Sequence, residues 1–255
     1  MAETSKLAPA APGAIPMGED APLFEILQTT RAMRRLRPDP VPRATLERLV
    51  EAASWAPSGG NSQDFSFLIA DDRQQIAALA PAWQRIAGWY LATQTPPAHM
   101  SEAKLERMMA AAREQAERFA ETPALIVACF TSRPTARRMA RNWRRTARAT
   151  LRLGPRGIRL IANYRRFLAR GEAACVYPAV ENLLLAARAL GLGAVLTMWH
   201  VFFEQEFKRS LGIPRHVRTF AIVPVGYPQG RFGPVVRRPP SELIHWNRWQ
   251  ERSGQ

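Results

Sequence analysis

No apolar run in this chain approaches the ~20 residues that a helix needs to cross a bilayer, so no transmembrane segment is expected. Residues 1 to about 20 are rich in Ala and Pro and poor in large apolar groups. They lack the basic start and apolar block of a signal peptide, and read as a disordered tail. Cysteine is scarce: Cys129 and Cys175 stand far apart in apolar surroundings, the pattern of two buried thiols and not of a disulfide or metal pair. The four histidines, His99, His200, His216 and His245, are scattered without ligand spacing and read as surface or capping residues. No G-x-G-x-x-G follows a strand and no G-x-x-x-x-G-K-[ST] occurs, so neither common nucleotide fold is supported. A cytoplasmic protein is expected.

What is present suffices for one sizeable core, with two small domains as the alternative, in 255 residues of which 47% are apolar. The formal charge of +15 is unevenly spread. Thirteen arginines lie between Arg133 and Arg170, a span without Asp, Glu or Lys, and the rest of the chain carries only +2. The basicity is one local feature.

The periodicity predicts a helix over 21–30 with Leu23, Phe24, Ile26 and Leu27 as its stripe, and another over 44–55 through Leu46, Leu49, Val50 and Ala53. Pro38-Asp39-Pro40-Val41-Pro42 between them forces an extended connection. A strand over 65–70 and a helix over 73–79 follow; 81–100 is irregular, with Trp83, Trp89 and Tyr90 as pocket wall or satellite core. Ser101 caps a helix to Phe119. The continuous apolar run 124–130 suits a buried central strand. Within the arginine segment, Gly154-Pro155 separates a helix over about 136–152 from a second over 158–168 that turns Tyr164 and Phe167 inward. Pro178 opens a helix that is apolar nearly all round and stops at Gly191, to be buried in the core or against a second copy. Gly191 to Met198 turns into a strand, 203–211 is a short helix, 220–228 the last central strand, and Ser241 to Trp249 a closing helix. Strands separated by helices argue for an α+β or α/β layered sheet.

Two clusters carry the chemistry. Thr30-Arg31-Ala32-Met33-Arg34-Arg35 is an arginine-rich turn, and a guanidinium fork suits a phosphate through paired charge-assisted hydrogen bonds. Pro57-Ser58-Gly59-Gly60-Asn61 is a small polar turn where glycine permits close backbone approach to a flat ligand. Together they point to a phosphorylated cofactor.

Taken in order, several stretches resemble the FMN-dependent nitroreductase family, which includes iodotyrosine dehalogenases and a flavin-fragmenting enzyme of cobalamin synthesis. The stretches are Thr30 to Arg34, Pro40-Val41-Pro42, Ala56 to Gln63, Pro178 to Leu190, Gly191 to Thr197 and Val225 to Arg238. The resemblance spans about 22–249, with 81–170 poorly matched. It implies a single α+β domain over 21–255: a three-layer fold, its mainly antiparallel central sheet covered by helices, with 81–170 as a variable helical excursion. It also implies an intertwined homodimer with one FMN at each of two subunit interfaces. By position, Arg31, Ala32 and Arg34 would hold the phosphate and ribityl chain, and Arg237 would return to the phosphate. Pro57, Ser58, Gly59 and Asn61 would reach the partner's flavin; Leu196, Thr197 and Met198 would line the isoalloxazine edge. Thr30 and Ala32 replace the usual arginine and serine, and Arg35 or Arg231 is the expected compensation. Asp64-Phe65 replaces a Pro-Trp.

The activity so implied is hydride transfer from NAD(P)H through FMN to an electron-poor acceptor such as a nitroaromatic or quinone. A flavin does the redox work itself, so no catalytic acid–base pair and no metal is called for. The rivals are another reaction of the family, reductive dehalogenation or flavin fragmentation, and a binding protein that sets its basic helices on anionic surfaces. For the arginine segment the readings are a solvated excursion, contact with anionic membrane or nucleic acid, or selection of an anionic substrate or NADPH.

Overall fold

Seven residues set the plan of the fold. Ala124–Phe130 is buried along its whole length, and its side chains alternate between two separate cores. Ala124, Ile126, Ala128 and Phe130 face one; Leu125, Val127 and Cys129 face the other, as the two-residue period of a strand requires. The computed structural model describes residues 18–95, 97 and 100–249. Its sheet contains Phe65–Ala70 (β1), Ala124–Phe130 (β2), Gly193–Ala194 (β3) and Arg218–Gly226 (β4), in the order β1-β2-β4-β3 with every pair antiparallel. Ile126 sits opposite Ile69 on one side and Val223 on the other.

The helices, in chain order, are Leu23–Thr29 (α1), Arg43–Ser54 (α2), Arg73–Thr93 (α3), Glu102–Glu117 (α4), Arg133–Arg141 (α5), Trp143–Leu151 (α6), Pro155–Ala189 (α7) and Glu204–Ser210 (α8). Leu46, Leu49 and Ala53 of α2 and Val180, Leu183 and Ala187 of α7 cover one sheet face. Ile76, Leu79, Trp83 and Ile86 of α3 and Phe207 of α8 cover the other. Removing a leucine such as Leu183 from water stabilises the fold by about 1.5–3 kcal/mol. The result is the three-layer α+β arrangement expected. Both cysteines are buried and free, and burial pushes the Cys129 thiol up to about 11.

Several elements differ from expectation, each for a packing reason. α3 continues through Pro81 to Thr93, although an interior proline removes a helix hydrogen bond. Trp83, stacked on Phe119 with centroids 4.3 Å apart, and the buried Ile86 and Ala87 hold the later turns. Pro178 likewise lies inside α7, which runs for 35 residues from Pro155 and fuses two expected helices. The joining stretch is already packed, with Glu172, Cys175 and Val176 buried. In its first half Phe167 is exposed, not inward. The expected strand over 191–198 shrinks to Gly193–Ala194 plus a bridge from Thr197 to Ile222. In place of the closing helix there is only a 3-10 turn at Pro240–Glu242. Leu243, Ile244 and Trp246 find no core, and a short helix without tertiary packing does not hold. Of the α1 stripe only Ile26 is buried. His200 is a core residue and not a surface one, wholly buried beside Phe207, and burial lowers its pKa to about 4. Both His99 and the tail up to residue 17 lie outside the described residues; Glu19, just beyond, pairs with Arg48 at 2.8 Å.

Candidate functional site

The arginine turn is extended chain that begins where α1 ends, and the backbone ties it to two strand ends. Met33 is buried and donates its N–H to the Ala194 carbonyl at 3.1 Å. Arg37 N–H donates to the Tyr227 carbonyl at 2.8 Å, and Gln229 N–H donates to the Arg35 carbonyl at 3.0 Å. The turn is thus laced between β3 and the exit of β4. Gly193 lets it come close: a Cβ there would sit 2.9 Å from Leu36 Cδ2 and 3.0 Å from Met33 Cβ.

This lacing opens a cleft of about 270 Å³ that gathers residues from four parts of the chain. Arg31, Ala32 and Arg34 come from the turn, Leu196 from the segment after β3, Arg237 from the C-terminal stretch. Five of the expected cofactor residues therefore meet. Burial lowers the Arg34 pKa, with neighbouring Tyr90 opposing the shift.

Among the lining residues not expected are Glu181, Arg188 and Phe232. Arg188 is the most telling. It is 1% exposed, its Nε donates to Thr29 Oγ1 at 2.8 Å, and its guanidinium lies 4.4 Å from the Phe232 ring centroid. Desolvation lowers its pKa, against the pull of Glu25. A charge on the core side of an otherwise apolar helix was the signal in the sequence, since arginine is almost never fully buried without a partner. The expected compensators are elsewhere. Arg35 turns to Glu114, 2.5 Å away, and the exposed Arg231 lines neither this cleft nor the one described next.

The second turn does not join this cleft. Gly59–Asn61 forms a 3-10 turn in which Gly60 and Asn61 take φ of 59° and 49°, and Gln63 follows at 51°. Two non-glycine residues in the left-handed region are held by local bonds: Gln63 N–H to Ser58 Oγ at 3.1 Å and Gln63 Nε2 to Asn61 Oδ1 at 3.0 Å. Such over-determined backbone clusters at functional sites. Gly59 N–H points at Cys175 Sγ, 3.4 Å away. Gly59 and Gly60 line a separate, mainly apolar hollow of about 650 Å³ with Phe130, Phe167, Glu172 and Cys175. Glu172 is buried there 2.7 Å from Arg218; burial raises its pKa and Arg218 opposes. Thr197 is held by backbone bonds to Ile222, and the half-exposed Met198 accepts from Tyr177 Oη at 3.2 Å. Neither Thr197 nor Met198 lines the arginine cleft, though Leu196 beside them does. Pro57 is exposed at the entry to its turn. Among the described residues no group of His, Cys, Asp and Glu is arranged to hold a metal ion.

A four-stranded antiparallel sheet between helical layers is the nitroreductase-like fold. An iodotyrosine deiodinase crystallised with FMN and 3-iodo-L-tyrosine matches it with a TM-score of 0.62 at 20% identity, over 89% of this chain and 100% of that one. A nitroreductase-like family protein of Bacillus cereus matches with a TM-score of 0.57 at 18% identity, over 90% and 97%. The model of the nitroreductase family matches residues 27–154 and 158–227, and the chain belongs to that family. An NADH dehydrogenase of Thermus thermophilus is 28% identical over 218 residues, 85% of this chain and 91% of its own. A 5,6-dimethylbenzimidazole synthase of Rhodospirillum rubrum is 28% identical over 207 residues, 81% and 82% respectively. Family and relatives alike support an oxidoreductase.

Proposed function

We propose that the chain is an FMN-dependent oxidoreductase that passes hydride from NAD(P)H to an electron-poor small molecule such as a nitroaromatic or a quinone. One observation carries the reading: Arg31, Arg34, Arg188 and Arg237 converge on a cleft whose lining holds a single carboxylate, Glu181. Such a well of positive charge fits a phosphate dianion, and guanidinium forks bind its oxygens in pairs. The apolar Leu184, Leu192, Leu196 and Phe232 suit the flat part of the same ligand. FMN, when bound, supplies the two-electron redox chemistry.

The chain's own residues hold and orient. On this reading Arg31, Arg34 and Arg237 grip the phosphate. Arg188, fixed by Thr29 and Phe232, supplies from behind the charge that Thr30 does not carry. Leu196, Thr197 and Met198 run along the ring edge. Pro57, Ser58, Gly59 and Asn61 serve the flavin of a second subunit, which accounts for Gly59 lining a different hollow from the arginines. A homodimer also accounts for Leu23, Phe24 and Leu27 of α1 and Trp55 after α2 standing exposed. The cytoplasm is its expected site of action.

The purified protein should be yellow, and its flavin absorbance should bleach on addition of NADPH or NADH. A colourless protein that takes up no FMN would sink the proposal. The names of two relatives, the deiodinase and the dimethylbenzimidazole synthase, set the rivals to test beside nitro and quinone acceptors: reductive dehalogenation and flavin fragmentation.

A further inference from the structure

We propose that α6, the first half of α7 and the turn between them form a docking surface for an anionic lipid bilayer. Between Arg133 and Arg170 the chain has thirteen arginines and no Asp, Glu or Lys. Every one whose side chain is described is exposed, and among the described residues none forms an ion pair. Placed on one local surface, that charge has no counterpart in its own segment.

The apolar residues between the arginines decide what kind of anion fits. At the turn joining α6 to α7, Leu151 is 79% exposed, Leu153 44%, Ile158 72% and Ile161 64%. Trp143 shares the Leu151 face of α6, two turns away, and Arg148, Arg152, Arg156 and Arg159 flank the tip. The turn is built, not loose. Gly154 takes φ of 54° as the N-cap of α7, and Gly157 packs so close that a Cβ there would lie 2.7 Å from the Thr150 carbonyl oxygen. A bilayer interface offers both halves of this surface a place, acyl chains for the aliphatic tip and acidic headgroups for the guanidinium ring around it. A nucleic acid rewards the arginines and Trp143, but it leaves Leu151, Leu153, Ile158 and Ile161 at the tip without a partner, since they offer no ring on which a base can stack. Self-association sets thirteen like charges against thirteen in an isologous contact, with no acidic residue from the segment to relieve them.

Vesicle co-sedimentation of the full-length protein tests this. Phosphatidylcholine vesicles carrying a minority of phosphatidylglycerol should pellet the protein, and pure phosphatidylcholine should not. The quadruple variant R148Q/R152Q/R156Q/R159Q should bind at least about tenfold more weakly. I158S/I161S should weaken binding with its charge unchanged. Both variants replace exposed side chains, so retained helical circular dichroism and flavin content separate lost docking from lost folding. Four results would each overturn the proposal: equal binding to neutral vesicles, no binding to anionic ones, wild-type vesicle binding by either variant, or a change of oligomeric mass in I158S/I161S without a change in vesicle binding. So would an RNA or DNA oligomer that binds as tightly as the vesicles and is indifferent to I158S/I161S.

Discussion

Arginine stands in two different settings in this molecule, and the contrast lies in what surrounds it. In the cleft beneath α1 there are four, drawn from separate parts of the chain, one of them wholly buried and fastened by Thr29 and Phe232. In the α5–α7 segment there are thirteen, close together in sequence, and those whose side chains are described are turned to water. A few arginines held in place by backbone and packing make a specific site, because a fixed fork meets its anion without first losing rotamer freedom. Many arginines on free side chains make a surface, whose pull on an anion is diffuse and screened by salt. Number and sequence density point to the second region. Geometry points to the first as the place of chemistry.

The largest expected effect concerns the core on the α3 and α8 side of the sheet. His200, held near a pKa of about 4 by burial, binds a proton more readily when the chain unfolds. Its contribution is therefore complete above its ordinary pKa of 6.5 and is lost as pH falls from there toward 4. The loss amounts to about 3 kcal/mol in all, roughly 2 of it by pH 5. Denaturation at pH 7 and pH 5 should show this slope, and His200→Gln should flatten it; an unchanged slope would remove His200 from the account. Assays that compare the two arginine regions belong above that window.

Gly193→Val should come next, at about 1–3 kcal/mol of stability, because its side chain must displace Leu36 and Met33. Since those residues carry the arginine turn, FMN titration should show weakened affinity while vesicle binding is unmoved. If FMN affinity survives, the cleft is not where the phosphate sits. Arg34→Ala and Arg188→Met should each weaken FMN binding by about tenfold to a hundredfold, the range of a hydrogen bond to a charged group. Fluorescence quenching of added FMN reads this directly. An Arg35→Ala variant, its side chain turned to Glu114, should bind nearly as the parent does. The smallest effect should come from a single change in the α5–α7 segment. Arg145→Gln is expected to alter stability by under about 0.5 kcal/mol and FMN affinity not at all. A larger change in either would mean that the two regions are coupled.

Much of the frame was legible because it rests on short-range pattern. The run 124–130 declared a strand buried on both faces, and the period of Leu46, Leu49 and Ala53 declared a helix with one covered side. Gly154-Pro155 marked a helix boundary where the backbone does turn left-handed. Of the site, the arginine turn, Leu196 and Arg237 could be named in advance and do meet. Arg188 could not. Read as part of an apolar helix it is an interruption, and only the crossing of α7 behind α1 turns it into a wall of the cleft. The prolines misled for the opposite reason. A local rule stops a helix before Pro81 and starts one at Pro178, but Trp83 at the one and Cys175 with Val176 at the other supply burial that outweighs a lost hydrogen bond.

By itself, then, the sequence determined the order and kind of most elements, the family, and the existence of two arginine-rich stretches, since each of these is written in neighbouring residues. Tertiary structure alone decided that Met33 and Gly193 dock the arginine turn on the sheet. It also decided that Arg188 joins that turn from 159 positions away, and that the Gly59–Asn61 turn opens on a different hollow. Contacts between distant residues follow from how helices and strands pack, and no local pattern records them.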